Sequence, residues 1–342
     1  MARQIELPEP ISTPKEIFDE LNRYVIGQEH AKKTVAIAAY NHMKRTSGLA
    51  KLLKKSNMLM IGPTGSGKTY IARQLARILG VPFAVVNATE FTEAGYYGKD
   101  VELMISELLM AVNGDVAQAE KGILFVDEVD KIASRSHGFV TGAGGRDIGG
   151  EGVQQALLKL LESNKVMVPL NFTQHWSKYE FVQLDVTNIL FICAGTFSTM
   201  GRGRYKADIG FYGESAKSKR ERQKNLIREL EEYGMLAEFL GRMSVLVELE
   251  QLTNDELGRI ITDPPDSLLN EYKELFSFEG IKLILDPSGR KALVEKAAAK
   301  KLGARGLRSA FEELFFDLSF HAPEHIGEVI QIDREYVEAH IQ

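Results

Sequence analysis

The segment that most constrains the fold is a glycine-rich loop at residues 62–69, placed between an apolar run and a helical pattern. Its spacing is that of a phosphate loop, GxxxxGK[ST], spelled by Gly62, Pro63, Thr64, Gly65, Ser66, Gly67, Lys68 and Thr69. Residues 57–61 before it predict a buried strand. After it, apolar side chains recur at helical spacing up to Leu79, and Gly80 then favours a helix end. The sequence therefore predicts a phosphate site at a strand-to-helix junction.

The residue types of this loop match the chemistry of a nucleoside triphosphate. Glycines let backbone N–H groups close around phosphate oxygens, and the following helix adds its positive N-terminal end. Lys68 can reach the terminal phosphates, and the hydroxyl of Thr69 can bind Mg²⁺. ATP and Mg²⁺ are the predicted ligands. The alternative interpretation is a glycine-rich turn that binds nothing.

The first part of the chain alternates β-rich runs with helical patterns. The predicted buried strands cover residues 57–61, 82–86, 122–126 and 188–193. Such alternation predicts an α/β fold with a parallel sheet and helices on both faces, including a helix over residues 153–161. We therefore predict a large α/β ATPase domain at residues 1–250.

A smaller, mainly helical domain is predicted at residues 251–342. Thr253 and Glu256 have the spacing of a capping box, which predicts a helix start. Asp286 before Pro287 predicts another helix start. Residues 329–332 read as one isolated strand, and the mixed charges of residues 217–232 favour a solvated helix over a binding surface.

Two adjacent acids follow the third predicted strand. Asp127 and Glu128 come directly after the apolar run 123–126, at the carboxyl end of a parallel strand, where ligands of such sheets bind. Asp127 is predicted to hold Mg²⁺, and Glu128 to act as the general base for an attacking water. Two acids after a strand can also form a solvated turn. Because a phosphate loop precedes them, the catalytic interpretation is favoured.

Composition narrows the possible partners. The 342 residues carry 42 Lys and Arg against 47 Asp and Glu, a net charge of -5, which lacks the basic field typical of nucleic-acid binding. The one cysteine, Cys193, lies in a predicted buried strand, so neither a disulfide nor a cysteine zinc site is expected. Neither a signal peptide nor a membrane-spanning run is evident, so we expect a cytoplasmic protein without membrane partners.

Several segments resemble the ClpX/HslU family of AAA+ ATPases over nearly the whole chain. They are residues 24–28 (YVIGQ), 150–160 (GEGVQQALLKL), 238–242 (EFLGR) and 303–308 (GARGLR). The resemblance is to ClpX rather than to HslU, because the chain has no room for the long insertion of HslU. The N-terminal zinc-binding domain of the family is absent from the sequence, so adaptor-dependent substrate choice is not expected.

The resemblance implies roles for five further residues. Val25 and Ile26 would contact adenine, and Tyr70 would join the nucleotide-binding set. Arg242 would be an arginine finger that reaches a neighbouring subunit, and Arg305 would contact the γ-phosphate. A forked guanidinium suits phosphate oxygens, although each arginine could instead form a surface salt bridge, and Val25 and Ile26 could be core residues. Thr196 lies near the expected sensor-1 position.

Two more matches concern protein partners. Tyr96 and Tyr97, between Gly95 and Gly98, resemble the GYVG pore loop of the family, with tyrosine in place of valine; aromatic rings can grip an extended chain without reading its sequence. Ile209, Gly210 and Phe211 resemble the IGF tripeptide that docks onto the ClpP peptidase. The basic RKH loop of the family is unmatched, since residues 173–178 read TQHWSK. Tyr96 and Tyr97 could instead lie in a glycine-flanked surface turn. Ile209, Gly210 and Phe211 could instead lie in a loop folded onto its own domain.

Together these features predict a homo-oligomeric ring, expected to be a hexamer, that unfolds tagged or unfolded proteins and passes them to a ClpP-type peptidase. A protein remodeller without a peptidase would carry the same motor. A nucleic-acid motor is disfavoured by the acidic charge and the aromatic loop. An ATP-binding regulator that rarely hydrolyses is disfavoured by the acid pair Asp127 and Glu128.

Overall fold

A computed structural model describes residues 13–48, 52–92, 99–134, 150–169, 181–198, 200 and 216–341. The strands are β1 Met58–Ile61, β2 Phe83–Asn87, β3 Phe91–Thr92, β4 Lys99–Asp100, β5 Ile123–Asp127, β6 Lys165–Pro169, β7 Phe181–Asp185, β8 Leu190–Gly195, β9 Val245–Glu248, β10 Lys282–Leu285 and β11 Val329–Ile332. The helices are α1 Pro14–Tyr24, α2 Glu29–Thr46, α3 Lys68–Leu79, α4 Met104–Ala111, α5 Val116–Ala119, α6 Gly150–Glu162, α7 Ala216–Tyr233, α8 Ala237–Arg242, α9 Asn254–Thr262, α10 Leu268–Ser277, α11 Pro287–Ala299, α12 Ala304–Leu314, α13 Phe316–Phe320 and α14 Arg334–His340.

The chain divides into two compact units that each combine distant segments. Among the residues that the structure describes, the first unit comprises those within Met1–Pro14, Thr34–Ile61 and Leu75–Glu248, and the second comprises those within Lys15–Lys33, Gly62–Gln74 and Leu249–Gln342. The phosphate loop and the segment around Val25 thus group with the C-terminal helices. Each unit has its own hydrophobic core.

The first unit is built on a five-stranded sheet in the order β2-β5-β8-β1-β9, with every pairing parallel. All residues of β1 and β8 are buried, so both faces of these central strands are covered. The edge strand β2 alternates instead, with Val85 41% exposed. Because the strands are parallel, the carboxyl ends of β1 and β5 lie at one edge of the sheet, which is where the acid pair stands.

Helices α4 and α6 contribute apolar side chains to the core of this unit. Met104, Ile105, Leu108 and Leu109 of α4 are buried, as are Val153, Leu157, Leu160 and Leu161 of α6, and they belong to one cluster with the strands. A buried amide adds a polar anchor: Gln154 Nε2 donates to the carbonyls of Ile132 (2.9 Å) and Gly234 (3.2 Å). The helix predicted over residues 153–161 is therefore confirmed as the centre of α6.

The second unit packs helices α9 to α12 and α14 around its own apolar core. Aromatic rings pack together in this core: the ring of Tyr272 lies 4.8 Å from that of Phe315 and 5.5 Å from that of Phe311. Thr253 and Glu256 form the predicted capping box at the start of α9, and Asp286 caps α11. Both predicted helix starts are confirmed.

The predicted strands agree with the structure to within about two residues, but one strand interpretation needs correction. Residues 329–332 are not an isolated strand: β11 pairs in parallel with β10. The prediction also missed β9, which adds the fifth strand of the main sheet, and the antiparallel pair of β6 and β7. Cys193 is buried in β8, so its predicted place in a buried strand is confirmed, and burial raises the pKa of its thiol to about 12.

Candidate functional site

The phosphate loop leaves β1 after Ile61 and enters α3 at Lys68. Gly65 and Gly67 have φ angles of 73° and 101°, a left-handed backbone that glycine adopts without strain. The Lys68 ammonium folds back over the loop and donates to the carbonyls of Gly62 (2.7 Å) and Pro63 (3.0 Å). These acceptors are neutral, so a phosphate oxygen would be a stronger, charge-assisted partner for the same group.

Two features show that this loop fits a phosphate group. A Cβ placed on Gly67 would meet nothing within 4 Å, so open space faces the loop at this position. The hydroxyl of Ser66 is buried and lacks a hydrogen-bond partner among the described residues. An unsatisfied buried hydroxyl beside a glycine cradle suits a polar ligand.

The segment after α1 lines a separate cavity of about 470 Å³ within the second unit. Val25 and Ile26 are 5% and 7% exposed, and both border this cavity. Its polar lining consists of Asn22, Glu29, Lys32, Glu256 and Arg259. The volume lies in the range of small-molecule sites, and a lining that combines apolar with polar side chains can accept a nucleobase. The predicted contact of Val25 and Ile26 with adenine stays a prediction.

Lys32 holds the wall of this cavity in place, although the sequence analysis did not single it out. Its side chain is 1% exposed, and its ammonium donates to Glu29 Oε1 (2.8 Å), to the carbonyl of Val25 (3.1 Å) and to Asn22 Oδ1. Three acceptors satisfy the three donors of a buried ammonium. The backbone at Val25 is thereby tied to both flanking helices.

The candidate sensor residue Arg305 lies in the first turn of α12. The preceding residue contacts the phosphate loop directly: Ala304 N donates to Gly65 O at 3.1 Å. A Cβ on Gly65 would lie 2.0 Å from Leu302 O, so only glycine allows this close approach. Arg305, the residue after Ala304, is exposed. Its predicted contact with a γ-phosphate remains to be tested.

Tyr70 begins a second link between the phosphate-loop helix and the C-terminal helices of the same unit. Its hydroxyl lies 2.9 and 3.0 Å from the two carboxylate oxygens of Asp266, and Gln74 Nε2 donates to the same carboxylate at 3.3 Å. Burial, followed by the bond to Asp266, raises the pKa of Tyr70. Tyr70 thus acts structurally here; a contact with nucleotide stays a prediction.

In the first unit, the acid pair stands at the carboxyl end of β5. Asp127 is the last residue of the strand, and Glu128 turns the chain with a φ of 59°. A glutamate in the left-handed region is uncommon, and such outliers gather at functional sites. Asp127 Oδ1 accepts a bond from Glu128 N (2.9 Å), and the carboxylate of Glu128 is exposed. This geometry presents the carboxylate of Glu128 to solvent at the sheet edge.

Asn87 is the residue of this acid site that the sequence analysis missed. It ends β2, pairs with Asp127 in the sheet, and donates from Nδ2 to Glu128 Oε2 at 3.0 Å. Its amide oxygen accepts from Thr89 N (3.0 Å) and Thr89 Oγ1 (2.9 Å), which fixes the direction in which the NH₂ group points. The signal available in the sequence was a polar residue at the end of the neighbouring parallel strand.

Thr196, the candidate sensor-1 residue, follows β8 and donates from Oγ1 to Asp130 Oδ2 at 2.9 Å. Asp130 is 4% exposed and also lies 3.5 Å from the ammonium of Lys131. This bond connects the turn after β5 with the end of β8. The sensing role of Thr196 stays a prediction.

Arg242 ends α8 and forms an ion pair with Glu162 at the end of α6. Both side chains are about half exposed, at 54% and 44%. Ion pairs this exposed contribute little to stability, about 0–1 kcal/mol, so Arg242 can exchange Glu162 for another anionic partner at little cost. This is compatible with an arginine finger, which stays a prediction.

The remaining predicted residues lie outside the described ranges. They are the pore-loop residues Tyr96 and Tyr97 and the docking residues Ile209, Gly210 and Phe211. Within the described ranges, no group of three or more His, Cys, Asp or Glu residues is placed to hold a metal ion. Thr69 in the second unit and Asp127 in the first each carry an oxygen donor of the kind that Mg²⁺ prefers, and their binding of Mg²⁺ stays a prediction.

None of the helices in the described ranges combines the length and apolar character that a membrane crossing requires.

Comparison with known proteins gives consistent matches along the chain. Residues 53–246 match the family model described as AAA domain (Cdc48 subfamily), and residues 252–316 match the C-terminal, D2-small domain of ClpB protein. The chain is 43% identical over 333 residues to ATP-dependent Clp protease ATP-binding subunit ClpX 2 of Wolinella succinogenes, covering 96% of this chain and 82% of that protein. It is 40% identical to the ClpX subunit of Porphyromonas gingivalis (98% and 83% covered) and 39% identical to that of Treponema denticola (95% and 81% covered).

Proposed function

Because this chain belongs to the ClpX family of AAA ATPases, we propose that it couples ATP hydrolysis to the unfolding of proteins, which it threads through a ring pore and delivers to a ClpP-type peptidase. The chain is an ATPase with a nucleotide-binding AAA domain. We further propose a hexameric ring, a cytoplasmic location, and tagged or unfolded polypeptides as substrates.

The observation that carries the hydrolytic part of this proposal is the exposed, oriented carboxylate of Glu128. It stands in a left-handed turn at the sheet edge, held through Oε2 by Asn87. In the proposed reaction, Glu128 accepts a proton from water as the water oxygen bonds to the γ-phosphorus of ATP. The bond between that phosphorus and the bridging oxygen then breaks, and ADP leaves.

Other residues of the chain would bind and orient the nucleotide. The phosphate loop would hold the phosphates through its backbone N–H groups and Lys68, while Val25 and Ile26 would pack against the base. Mg²⁺, held by Thr69 and Asp127, would neutralise phosphate charge. Arg305 would contact the γ-phosphate, and Arg242 would supply positive charge to a neighbouring subunit's site.

The mechanical part of the proposal is tested with the two tyrosines of the predicted pore loop. Replacing Tyr96 and Tyr97 with Ala removes both aromatic rings, so ATP should still be hydrolysed while unfolding of a tagged fluorescent protein fails. Replacement of both by Phe is the matched control, because it keeps the rings and removes only the hydroxyl groups. Unfolding at the original speed by the double alanine variant would contradict the gripping role.

Delivery to a peptidase is tested separately from unfolding. Adding a ClpP-type peptidase to the unchanged chain should convert ATP-dependent unfolding into degradation of the fluorescent protein. If unfolding proceeds but degradation never follows, the chain is a remodeller that works without a peptidase. If ATPase activity rises with a polynucleotide and not with an unfolded protein, the chain is instead a nucleic-acid motor.

A further inference from the structure

Gln28 lies where three segments of the second unit meet. Its Nε2 donates to the carbonyl of Glu250 (2.8 Å) and to that of Ser66 in the phosphate loop (3.4 Å). Its Oε1 accepts from Glu250 N at 3.0 Å. One carboxamide therefore pairs with both backbone groups of Glu250 and also reaches the phosphate loop.

The backbone at this position is unusual for a residue with a long side chain. Gln28 has a φ of 57° and follows Gly27 with a φ of 68°, so two successive residues are left-handed. Glycine would adopt this conformation without strain at either position. Backbone strain at a residue with a side chain points to a function for that side chain, and here the side chain makes three hydrogen bonds.

The neighbouring contacts extend this junction toward α9. A Cβ on Gly27 would lie 2.0 Å from Glu256 Oε1, so the chain at Gly27 runs directly against the capping box of α9. On the other side, Val25, Ile26 and Gly27 line the 470 Å³ cavity. Segment 25–28 therefore borders the cavity, the phosphate loop and the first turn of α9.

The bond to Ser66 O has a consequence for phosphate binding. A trans peptide is planar, and its C=O and N–H groups point in opposite directions. When Gln28 holds the carbonyl of Ser66, the N–H of Gly67 is aimed away from Gln28. Gly67 belongs to the phosphate loop and faces open space, and backbone N–H groups are what such loops use to hold phosphate oxygens.

We propose that Gln28 is a positioning residue for nucleotide binding: it fixes the Ser66–Gly67 peptide in the phosphate loop and ties that loop to residues 249–256. This inference rests on the proposed role of the phosphate loop in ATP binding. Because phosphate contacts are made in both the ground state and the transition state, losing this alignment raises KM and leaves kcat nearly unchanged.

Two substitutions test the proposal. Gln28→Gly keeps the left-handed backbone and removes only the side-chain contacts, so the KM for ATP should rise about tenfold, the effect of about one lost hydrogen bond. Gln28→Glu keeps the size but sets a carboxylate oxygen against the carbonyls of Ser66 and Glu250, so its KM should rise further. In both variants kcat should stay within about threefold of the original value.

Steady-state kinetics and equilibrium affinity for ATP with Mg²⁺ would be measured on the full chain, below the melting temperature of each variant. Gln118→Glu is the matched control, because the Gln118 amide bonds only to the exposed side chain of Asp115 in the described structure, and its KM should not change. The proposal is overturned if KM and affinity stay within twofold for both Gln28 variants, or if the loss falls on kcat alone. If the unaltered chain hydrolyses no ATP, the proposed function fails, while the affinities still decide the role of Gln28.

Discussion

The close approach of the C-terminal helices to the phosphate loop gives a prediction whose size follows from geometry. In Gly65→Ala, the new Cβ would lie 2.0 Å from Leu302 O and 3.0 Å from Ala304 N, and both are backbone atoms that cannot rotate away. The φ of 73° adds the cost of a left-handed alanine, about 1–2 kcal/mol. Overpacking against these atoms should destabilise the folded state by about a further 1–3 kcal/mol. Loss of the hydrogen bond from Ala304 N to Gly65 O should destabilise it by about 1 kcal/mol more.

The matched control is Gly48→Ala, which has nearly the same backbone angle and no steric conflict. Gly48 has a φ of 75°, and a Cβ there would meet nothing within 4 Å. Gly48→Ala should lower the free energy of unfolding by at most about 1–2 kcal/mol. The lower conformational entropy of the unfolded chain offsets about 0.4–1 kcal/mol of this loss. Gly65→Ala should therefore lower the free energy of unfolding by about 2–4 kcal/mol more than Gly48→Ala does.

The assay is urea unfolding of both variants, followed by circular dichroism, together with the affinity for ATP. Gly65→Ala should shift the first unfolding transition to lower urea and weaken ATP binding, whereas Gly48→Ala should leave ATP binding unchanged. Equal shifts for the two variants would show that Leu302 and Ala304 do not pack on Gly65 in solution.

Three further predictions concern the helix cap of α9, the proposed arginine finger and the proposed docking tripeptide. Thr253→Ala removes the capping box of α9 and should lower the free energy of unfolding by about 1 kcal/mol, as measured by thermal unfolding. Arg242→Ala should impair hydrolysis, and mixing it with Glu128→Gln subunits should restore partial activity if Arg242 acts in a neighbouring subunit; no recovery in mixed rings contradicts this. Deleting Ile209, Gly210 and Phe211 should abolish degradation with a ClpP-type peptidase while ATPase activity and unfolding persist, and undiminished degradation would exclude a docking role.

Local sequence signals anticipated much of the architecture. The apolar runs at β1, β5 and β8 are buried on both faces, which makes them visible as continuous hydrophobic segments. The capping box of α9 and the Asp-Pro start of α11 are also local, since each depends on residues at most three positions apart.

The features that escaped prediction depend on contacts between distant segments. Strand β9 is four residues long and partly exposed, and pairing with β1 is what defines it. Asn87 becomes part of the acid site only because β2 lies beside β5 in the sheet. Gln28 bonds to Glu250, which is 222 residues away, so this contact could not be inferred from either segment alone. A pattern within one segment carries no information about such pairings.

The ATPase activity of Glu128→Gln, measured beside its affinity for ATP, tests whether Glu128 activates the attacking water. The amide keeps the shape of the side chain but cannot accept a proton from water, so kcat should fall by about 10²–10⁴ while affinity stays within about threefold. Glu221→Gln, an exposed change on α7, is the matched control and should behave as the unaltered chain does. Turnover near the original rate in Glu128→Gln would contradict the assignment of Glu128 as the group that activates water.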